Sequence, residues 1–390
     1  MIVAAPVAPP ADLPCPLSAG WQLLFTQTMP RRGTEGEPIG GFSGAVYEPE
    51  DDVLWLISDT PRGQLLGWRG LRQILRGPNG MGLHPMGSNR KEEPQLLQLF
   101  ATIPLQSGEA GNGSGSGSGN SFRPEMDGEG LVLQGSDAWV ASEGRLTPAQ
   151  PARLLRFDRH SGALRQAIPL PEAWHLRTRS GLAPNGGPES LTLLPSGSTT
   201  PNPTLRLLMA TEQPLLQDSA RERRTLLWSV PASSADITSR VLPPLLAPDV
   251  SEAWGLTDLL ALSGPSATLP TLALWRSFTP PGSWRAELSL VELQQDQWHR
   301  KARWDLISSG LPPDNWEGLT QGPTLADGRS SFVLVSDDNF NPFQQNLLAV
   351  IAPRHQPGCS HQGDLAPSGQ QNRAVTLRTP KVSGGGQAKQ

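Results

Sequence analysis

Two stretches near the carboxyl end bring together residue types suited to chemistry: Asn315-Trp316-Glu317-Gly318-Leu319-Thr320 and, further on, Ser336-Asp337-Asp338-Asn339-Phe340. Glutamates in a similar setting recur at Glu129-Gly130-Leu131 and Glu189-Ser190-Leu191, and single acids close later apolar stretches at Asp59, Glu143 and Glu212. Arg276, in Trp275-Arg276-Ser277-Phe278, takes the place of such a closing acid. Carboxylates brought together serve either as oxygen ligands for a hard cation or as proton carriers. Two of them about 6 Å apart repel by roughly 3 kcal/mol at an effective dielectric of 20. A converging group therefore requires a cation, a proton, or an arginine such as Arg276 or Arg123. The six histidines avoid these positions, and oxygen-only ligation favours Ca2+ before Mg2+ or Mn2+. In the alternative reading each acid hydrogen-bonds nearby backbone amides and is structural.

Convergence has to come from the fold, and the sequence carries a repeat that supplies it. Each unit opens with a glutamate or its substitute before an apolar strand, turns, and returns on a second apolar strand that ends in a charged residue. Ser43, Glu129, Glu189, Gly255 and Glu317 mark the equivalent position in five units, at steps of 86, 60, 66 and 62 residues. Short antiparallel strands at such a period indicate an all-β chain folded as a β-propeller, with a β-sandwich as the alternative. Five blades are countable, and a sixth remains open if the segment from Gly77 to Leu105 hides one. The fifth unit stops after its third strand at Ile351, whereas Trp21–Thr28 is a strand without a unit. Pairing the two closes the ring and removes two exposed sheet edges. That pairing sets Cys15 beside Cys359 and predicts a disulfide, against two free thiols on the chain ends.

In a propeller the first strands all run the same way, so their starts meet at one mouth, and the second strands end at that same mouth. Glu129, Glu189 and Glu317 sit at such starts. Asp59, Glu143, Glu212, Arg276 and Asp337 sit at such ends. Other features are weaker. Ser43 has no Gly-x-Ser-x-Gly elbow around it, and His160 falls in an Asp158–Gly162 turn expected to face solvent. Glu48 to Asp52 reads as a solvated hairpin at the opposite mouth. Trp174, Trp254, Trp316 and Phe340 fall near the acidic mouth, as a stacking wall for a ligand or as packing between blades.

Composition agrees with many short strands joined by turns. The 390 residues include 41 glycines and 40 prolines. A net charge of −4 without a dense basic run argues against nucleic-acid binding, and no apolar run is long enough for a membrane span. Residues 1–18 form a Pro-rich extension without a clear signal peptide, 19–355 the propeller, 106–123 a flexible Gly/Ser insertion within it, and 356–390 a tail expected to be disordered. The glycines of that insertion precede neither Lys-Ser/Thr nor a helix, so they do not read as a phosphate loop.

The motifs Glu129-Gly130-Leu131, Pro188-Glu189-Ser190-Leu191, Trp275-Arg276-Ser277-Phe278 and, above all, Asn315-Trp316-Glu317-Gly318-Leu319 with Ser336-Asp337-Asp338-Asn339-Phe340 resemble the phytase-like esterase family. The resemblance spans roughly Trp21 to Ile351. Ser43 stands where an acid is expected, and Trp316 replaces the more usual phenylalanine. Members are usually bacterial, exported propellers. The resemblance implies hydrolysis of esters or phosphoesters, with calcium as in propeller phytases, and carries over to Glu129, Glu189, Glu317, Asp337, Asp338 and Arg276. The expectation is a metal-dependent hydrolase of a small-molecule ester or phosphoester, extracytoplasmic and monomeric. Ca2+ is held by the glutamates with Asp337 and Asp338, Asp59, Glu143 or Glu212 acts as base, and Arg276 binds a substrate anion. The alternative is a non-catalytic extracytoplasmic ligand-binding propeller scaffold. An acidic mouth repels phytate itself unless several cations intervene.

Overall fold

Most strands of this protein are apolar on both faces, and the structure shows why: alternate residues of one strand serve two different cores. In the computed structural model, which describes residues 12–33, 36–59, 63–76, 97–106, 126–146, 149–195, 204–231, 236–249, 252–263 and 268–359, five four-stranded antiparallel sheets stand as blades around an axis. Blade 1 comprises Phe42–Glu48, Val53–Ser58, Gln64–Arg69 and Gln98–Pro104. Blade 2 comprises Gly128–Gln134, Asp137–Ser142, Arg153–Asp158 and Leu164–Pro169. Blade 3 is built from Pro188–Leu193, Leu205–Thr211, Glu222–Val230 and Thr238–Leu246, and blade 4 from Trp254–Ala261, Leu269–Thr279, Ser283–Gln294 and Gln297–Asp305. Trp316–Thr324, Ser330–Ser336, Leu347–Pro353 and the early strand Trp21–Thr28 complete blade 5. The first strands stand side by side around the axis in chain order. Gln98–Pro104 is the fourth strand of blade 1, so the blade count is five and the sixth-blade alternative falls away.

One apolar cluster fills each junction between neighbouring blades. In Ser330–Ser336, Phe332 and Leu334 face the junction with blade 4, while Val333 and Val335 face the junction with blade 1. In Leu205–Thr211, Leu207 and Met209 face blade 2, while Leu208 and Ala210 face blade 4. This is the two-residue period of a strand read against two partners rather than against one core and water. Trp174, Trp254 and Trp316 belong to these clusters and are at most 2% exposed. They pack blades and are not available as a stacking wall. Side chains also stitch neighbouring blades: Leu319 N–H donates to Asp258 (2.7 Å), Ala261 N–H to Thr192 Oγ1 (3.1 Å), and Tyr47 N–H to Thr320 Oγ1 (3.3 Å).

The hairpin Glu48–Asp52 is less solvated than its composition suggests. Glu50 and Asp51 are exposed, but Glu48 is paired with Arg159 of blade 2 and accepts from Trp55 Nε1. Asp52 accepts from the Tyr47 hydroxyl and from Arg72 N–H. The helix Leu71–Arg76, which the sequence did not announce, buries Leu71, Ile74 and Leu75 beneath blade 1; a single turn and a half is too short for its period to show. Residues 1–11, residues 77–96 at the start of the segment weighed as a sixth blade, nearly all of the 106–123 insertion with Arg123, and the tail beyond 359 lie outside the described residues.

Trp21–Thr28 pairs antiparallel with Leu347–Pro353, from Trp21 opposite Pro353 to Thr28 opposite Leu347. Just outside this ladder, Cys15 N–H donates to Arg354 O, and Cys15 and Cys359 are joined with their Cα atoms 5.7 Å apart. A bond spanning 344 residues acts chiefly on the unfolded chain, by at most roughly 5 kcal/mol in the chain-entropy model. Replacing both cysteines by serine is expected to lower the urea midpoint of unfolding by an amount within that bound. Intact protein is expected to show no maleimide-reactive thiol until it is reduced, and two reactive thiols before reduction would contradict the bond.

Candidate functional site

The first strand of every blade carries a β-bulge near its start, and in four blades the bulge falls on the residue that marks the repeat. Pairing shifts between Phe42 and Gly44, Gly128 and Leu131, Pro188 and Ser190, and Trp316 and Gly318. These shifts place Ser43, Glu129, Glu189 and Glu317 in the irregular stretch. A bulge re-aims the side chain it carries, here toward the axis. A second recurrent feature fixes the ends of the second strands. Asp59, Glu143, Glu212 and Asp337 donate their N–H groups to the carbonyls of Gly41, Asp127, Gly187 and Asn315, each two residues before the bulge position, at 2.7–3.1 Å.

The result is a ring of carboxyl groups at one mouth. One oxygen each from Glu129, Glu189 and Glu317 can be chosen so that all three lie within 4.8 Å of one another, and the three residues are buried. Asp127, Glu129 and Glu143 form a second group of the same kind, with Asp127 and Glu143 half-buried. Glu129 belongs to both. Asp337 lies beside Glu317: Asn315 Nδ2 donates to Glu317 Oε1 (2.8 Å) and to Asp337 Oδ2 (3.3 Å). Asp59 is half-buried and close enough to Glu129 and Glu317 to repel both.

Blade 4 departs from the pattern, and its departure supplies the ring's counter-charge. Gly255 occupies the glutamate position and pairs in regular register with Arg276; the bulge of this strand falls two residues later, at Thr257. A side chain at Gly255 would collide with Glu212 Oε1. The vacated space holds the ion pair of Arg276 Nη2 with Glu212 Oε1 (3.1 Å) and Glu317 Oε1 (3.3 Å). Arg276 is thus turned into the ring, where its Nη2 is matched to two acids. Burial alone would lower its pKa, but Glu212, Glu317, Glu189 and Asp337 outweigh that and raise it.

Asp338 does not join the ring. Its Oδ1 accepts from Gly41 N–H (3.1 Å) and Phe340 N–H (3.2 Å), and Arg31 lies 3.5 Å from its Oδ2. It fixes two mouth-side loops, because the residue after Asp337 points the other way. Asp127 and Asn315 are members the sequence reading passed over. Both stand two residues before a bulge glutamate, on the same face of the strand, and that spacing was the available signal. His160 is exposed, as its turn implied.

Burial and mutual repulsion push these carboxyls upward. Glu129, Glu189 and Glu317 are held well above the usual range, first by burial and then by neighbouring acids. Burial raises Glu143 to about 8, with Asp127 and Glu212 adding to the rise and the Gly187 N–H, 2.6 Å from Oε1, opposing it. Burial likewise raises Asp337 to about 6 against the Asn339 N–H bond. Ser43 Oγ and Asn315 Oδ1 are buried without a hydrogen-bond partner among the described residues. Buried oxygens so arranged suit a hard cation in place of their protons: Ca2+ bonds to oxygen at ~2.3–2.6 Å, which allows oxygens up to about 5 Å apart to share one ion.

Residues 37–340 match the phytase-like family, described by the esterase-like activity of phytase. The chain belongs to that family. No curated protein matches it. Solved structures similar to this phytase-like chain include the catalytic domain of a Coprinopsis cinerea GH62 α-L-arabinofuranosidase, at 10% identity over 85% of this chain and 96% of that one, with a TM-score of 0.43. A Cellvibrio cellulosa α-L-arabinanase (10% identity, 79% and 91% covered, TM-score 0.39) and the Neurospora crassa Pan2 WD40 domain (9%, 89% and 98%, 0.31) are others. Likeness at this level carries no argument about what the chain does.

A carboxyl whose pKa is raised by folding binds its proton more tightly folded than unfolded. Its stabilising contribution is full below the unfolded value and is lost as pH rises through the folded one. For Glu143 that window runs from 4.5 to about 8. In protein freed of divalent ions, the thermal midpoint is expected to fall steadily across this window. Glu143→Gln should flatten part of the fall; a midpoint that rises with pH over the same range would contradict the buried, mutually repelling ring.

Proposed function

We propose that the chain is a hydrolase of ester or phosphoester bonds, with its site at the acidic mouth and a hard divalent cation, Ca2+ before Mg2+ or Mn2+, held by Glu129, Glu189 and Glu317 with Asp337 alongside. The observation that carries this reading is the convergence of buried carboxylate oxygens from three different blades to within 4.8 Å of one another. Such an ion supplies, when bound, polarisation of an ester or phosphoryl oxygen and compensation of the ring's charge.

The chain's own groups divide the remaining work. Glu143 is half-buried at the rim beside Asp127 and Glu129, and in its ionised form it is placed to take a proton from an attacking water. The Gly187 N–H holds its Oε1, leaving the other oxygen for that water. Glu212, engaged by Arg276, and Asp59, at the corresponding strand end of the neighbouring blade 1, are the weaker candidates for base. Arg276 and Asn315 orient Glu317 from two directions. On this reading the substrate is a small-molecule ester or phosphoester and the protein acts as a monomer, and a disulfide across the chain ends fits an oxidising, extracytoplasmic compartment. Among the described residues no helix is long and apolar enough to cross a membrane.

The rival reading, a non-catalytic ligand-binding propeller, is favoured by one observation: Arg276 already gives the ring a cation of its own. Turnover of phosphomonoester, phosphodiester, phytate and lactone substrates, measured with Ca2+ and with chelator, separates the two. The hydrolase reading expects turnover on a simple ester or phosphoester that chelation or Glu317→Gln lowers by roughly a hundredfold or more, and weak action on phytate. Bound metal without turnover on any substrate would hand the site to the scaffold reading. Turnover indifferent to both chelator and Glu317→Gln would place the chemistry elsewhere.

A further inference from the structure

We propose that Phe340 forms an aryl subsite at the rim of the acidic mouth, so that the ester or phosphoester taken by this protein carries an aromatic group. The inference rests on the hydrolase reading for the reaction, but concerns binding and adds no bond-making step.

Large apolar side chains that stay exposed are not spread evenly. Of eight among the described residues, Leu176, Leu216, Phe278, Phe340 and Phe343 lie on mouth-side segments of blades 2 to 5, and the other three lie on the outermost strands 98–104 and 238–246. Phe340 is the one that the geometry ties to the ring. A Cβ at Gly41 would fall 2.8 Å from Phe340 Cε2 and would also collide with Asp59 Oδ1, so the aromatic edge and a ring carboxylate meet over the same α-carbon. Gly41 itself has φ of +60°, a conformation that suits glycine, and its missing side chain lets the two approach.

The loop that carries Phe340 is built, not slack. Asn339 and Phe340 are consecutive non-glycine residues in the left-handed region, at φ of 48° and 49°, which persists only where surrounding contacts over-determine it. Those contacts are present. Asn339 N–H donates to Asp337 Oδ1 (2.6 Å) and Phe340 N–H to Asp338 Oδ1 (3.2 Å). Arg31 donates to the carbonyls of Asn341 and Gln344. Ser336 Oγ donates to Gln345 O (2.9 Å) and accepts from Leu347 N–H. The loop thus spends two consecutive acids and an arginine on presenting an aromatic ring that remains 40% exposed. It presents that ring over blade 1, the blade that contributes Ser43 instead of a glutamate at the bulge, so the aromatic edge meets a single ring carboxylate, Asp59. An aromatic face beside carboxylates selects against a polyanion and for a ligand with one reactive polar group and one aromatic body.

Phenylphosphonate and methylphosphonate, compared by calorimetry in the presence of Ca2+, test this without a leaving-group difference. The wild-type protein is expected to bind the phenyl compound roughly tenfold tighter. Phe340→Ala should bring the ratio close to one by weakening the phenyl compound, Phe340→Leu should fall between, and Phe100→Ala, on the outer edge of blade 1, should leave the ratio unchanged. Near-ultraviolet circular dichroism checks that each variant is folded. A ratio that survives Phe340→Ala, or no binding of either phosphonate, overturns the subsite. Hydrolysis of phenyl acetate and phenyl phosphate, measured in parallel, keeps the two ideas apart. A Phe340-dependent ratio without hydrolysis sinks the hydrolase reading and leaves the aryl subsite standing. Hydrolysis without a Phe340-dependent ratio does the reverse.

Discussion

Carboxyl groups drawn from separate blades and held out of water around one axis are the condition that the remainder of this structure has to satisfy. Among the described residues eight of them gather there, Asp59, Asp127, Glu129, Glu143, Glu189, Glu212, Glu317 and Asp337, and one guanidinium, Arg276, is ion-paired with them. At an effective dielectric near 20, each fully charged pair at such distances opposes folding by a few kcal/mol. The scaffold therefore has to be stiff enough to hold the groups together while protons or a cation offset the repulsion. It meets that demand with five apolar junctions, each shared by two blades, and with a last sheet closed by the first strand of the chain. Opening the ring would expose two sheet edges and separate the acids at once, so closure and site stand or fall together.

Repetition does not make the ring symmetric, and its asymmetry is where it acquires chemistry. Blades 2, 3 and 5 supply buried glutamates at the bulge, whereas blade 1 supplies Ser43 and blade 4 Gly255. Five blades with identical acids would leave no room for an internal cation. Gly255 gives Glu212 the space that a side chain would take, and the two-residue displacement of the blade 4 bulge to Thr257 keeps Arg276 in plain register opposite it. The acid next to that bulge, Asp258, is diverted from the ring altogether. It accepts from Leu259 and Leu319 backbone N–H groups and fastens blade 4 to blade 5. Two acids with similar sequence surroundings thus do different jobs, because one sits in the bulge and the other just after it.

This distinction explains what the sequence could and could not reveal. The repeat, the strand order and the closing pair were legible because they depend on spacing and on alternation, which a chain displays in one dimension. Glu129, Glu189 and Glu317 were legible for the same reason. Asp127 and Asn315 were within reach, two residues before a bulge glutamate, yet nothing in a linear reading says that the carbonyl of that residue anchors the next strand. Asp338 was misplaced among the ligands because adjacency to Asp337 hides the reversal of direction between successive residues of an extended chain. The tryptophans near the mouth looked available, but a residue facing a blade junction and one facing the mouth share the same neighbours in sequence. Arg276 was placed at the ring correctly, and its engagement with Glu212 and Glu317 became visible in three dimensions, since it depends on a missing side chain at Gly255.

The same logic ties the mouth-side loops to the ring. In blade 5 the second strand ends in two consecutive acids, and their opposite directions give them separate duties: Asp337 turns toward Glu317 and Asn315, while Asp338 turns toward Gly41, Phe340 and Arg31. One acid is thereby part of the charged site and the next is part of the device that sets an aromatic residue above it. A displacement of this strand end would move both, so the position of Phe340 over the rim and the position of Asp337 within the ring are coupled through a single backbone. Whatever occupies the mouth meets a charged floor and an aromatic edge whose separation is set by covalent geometry and a few short hydrogen bonds, not by a loop free to adapt.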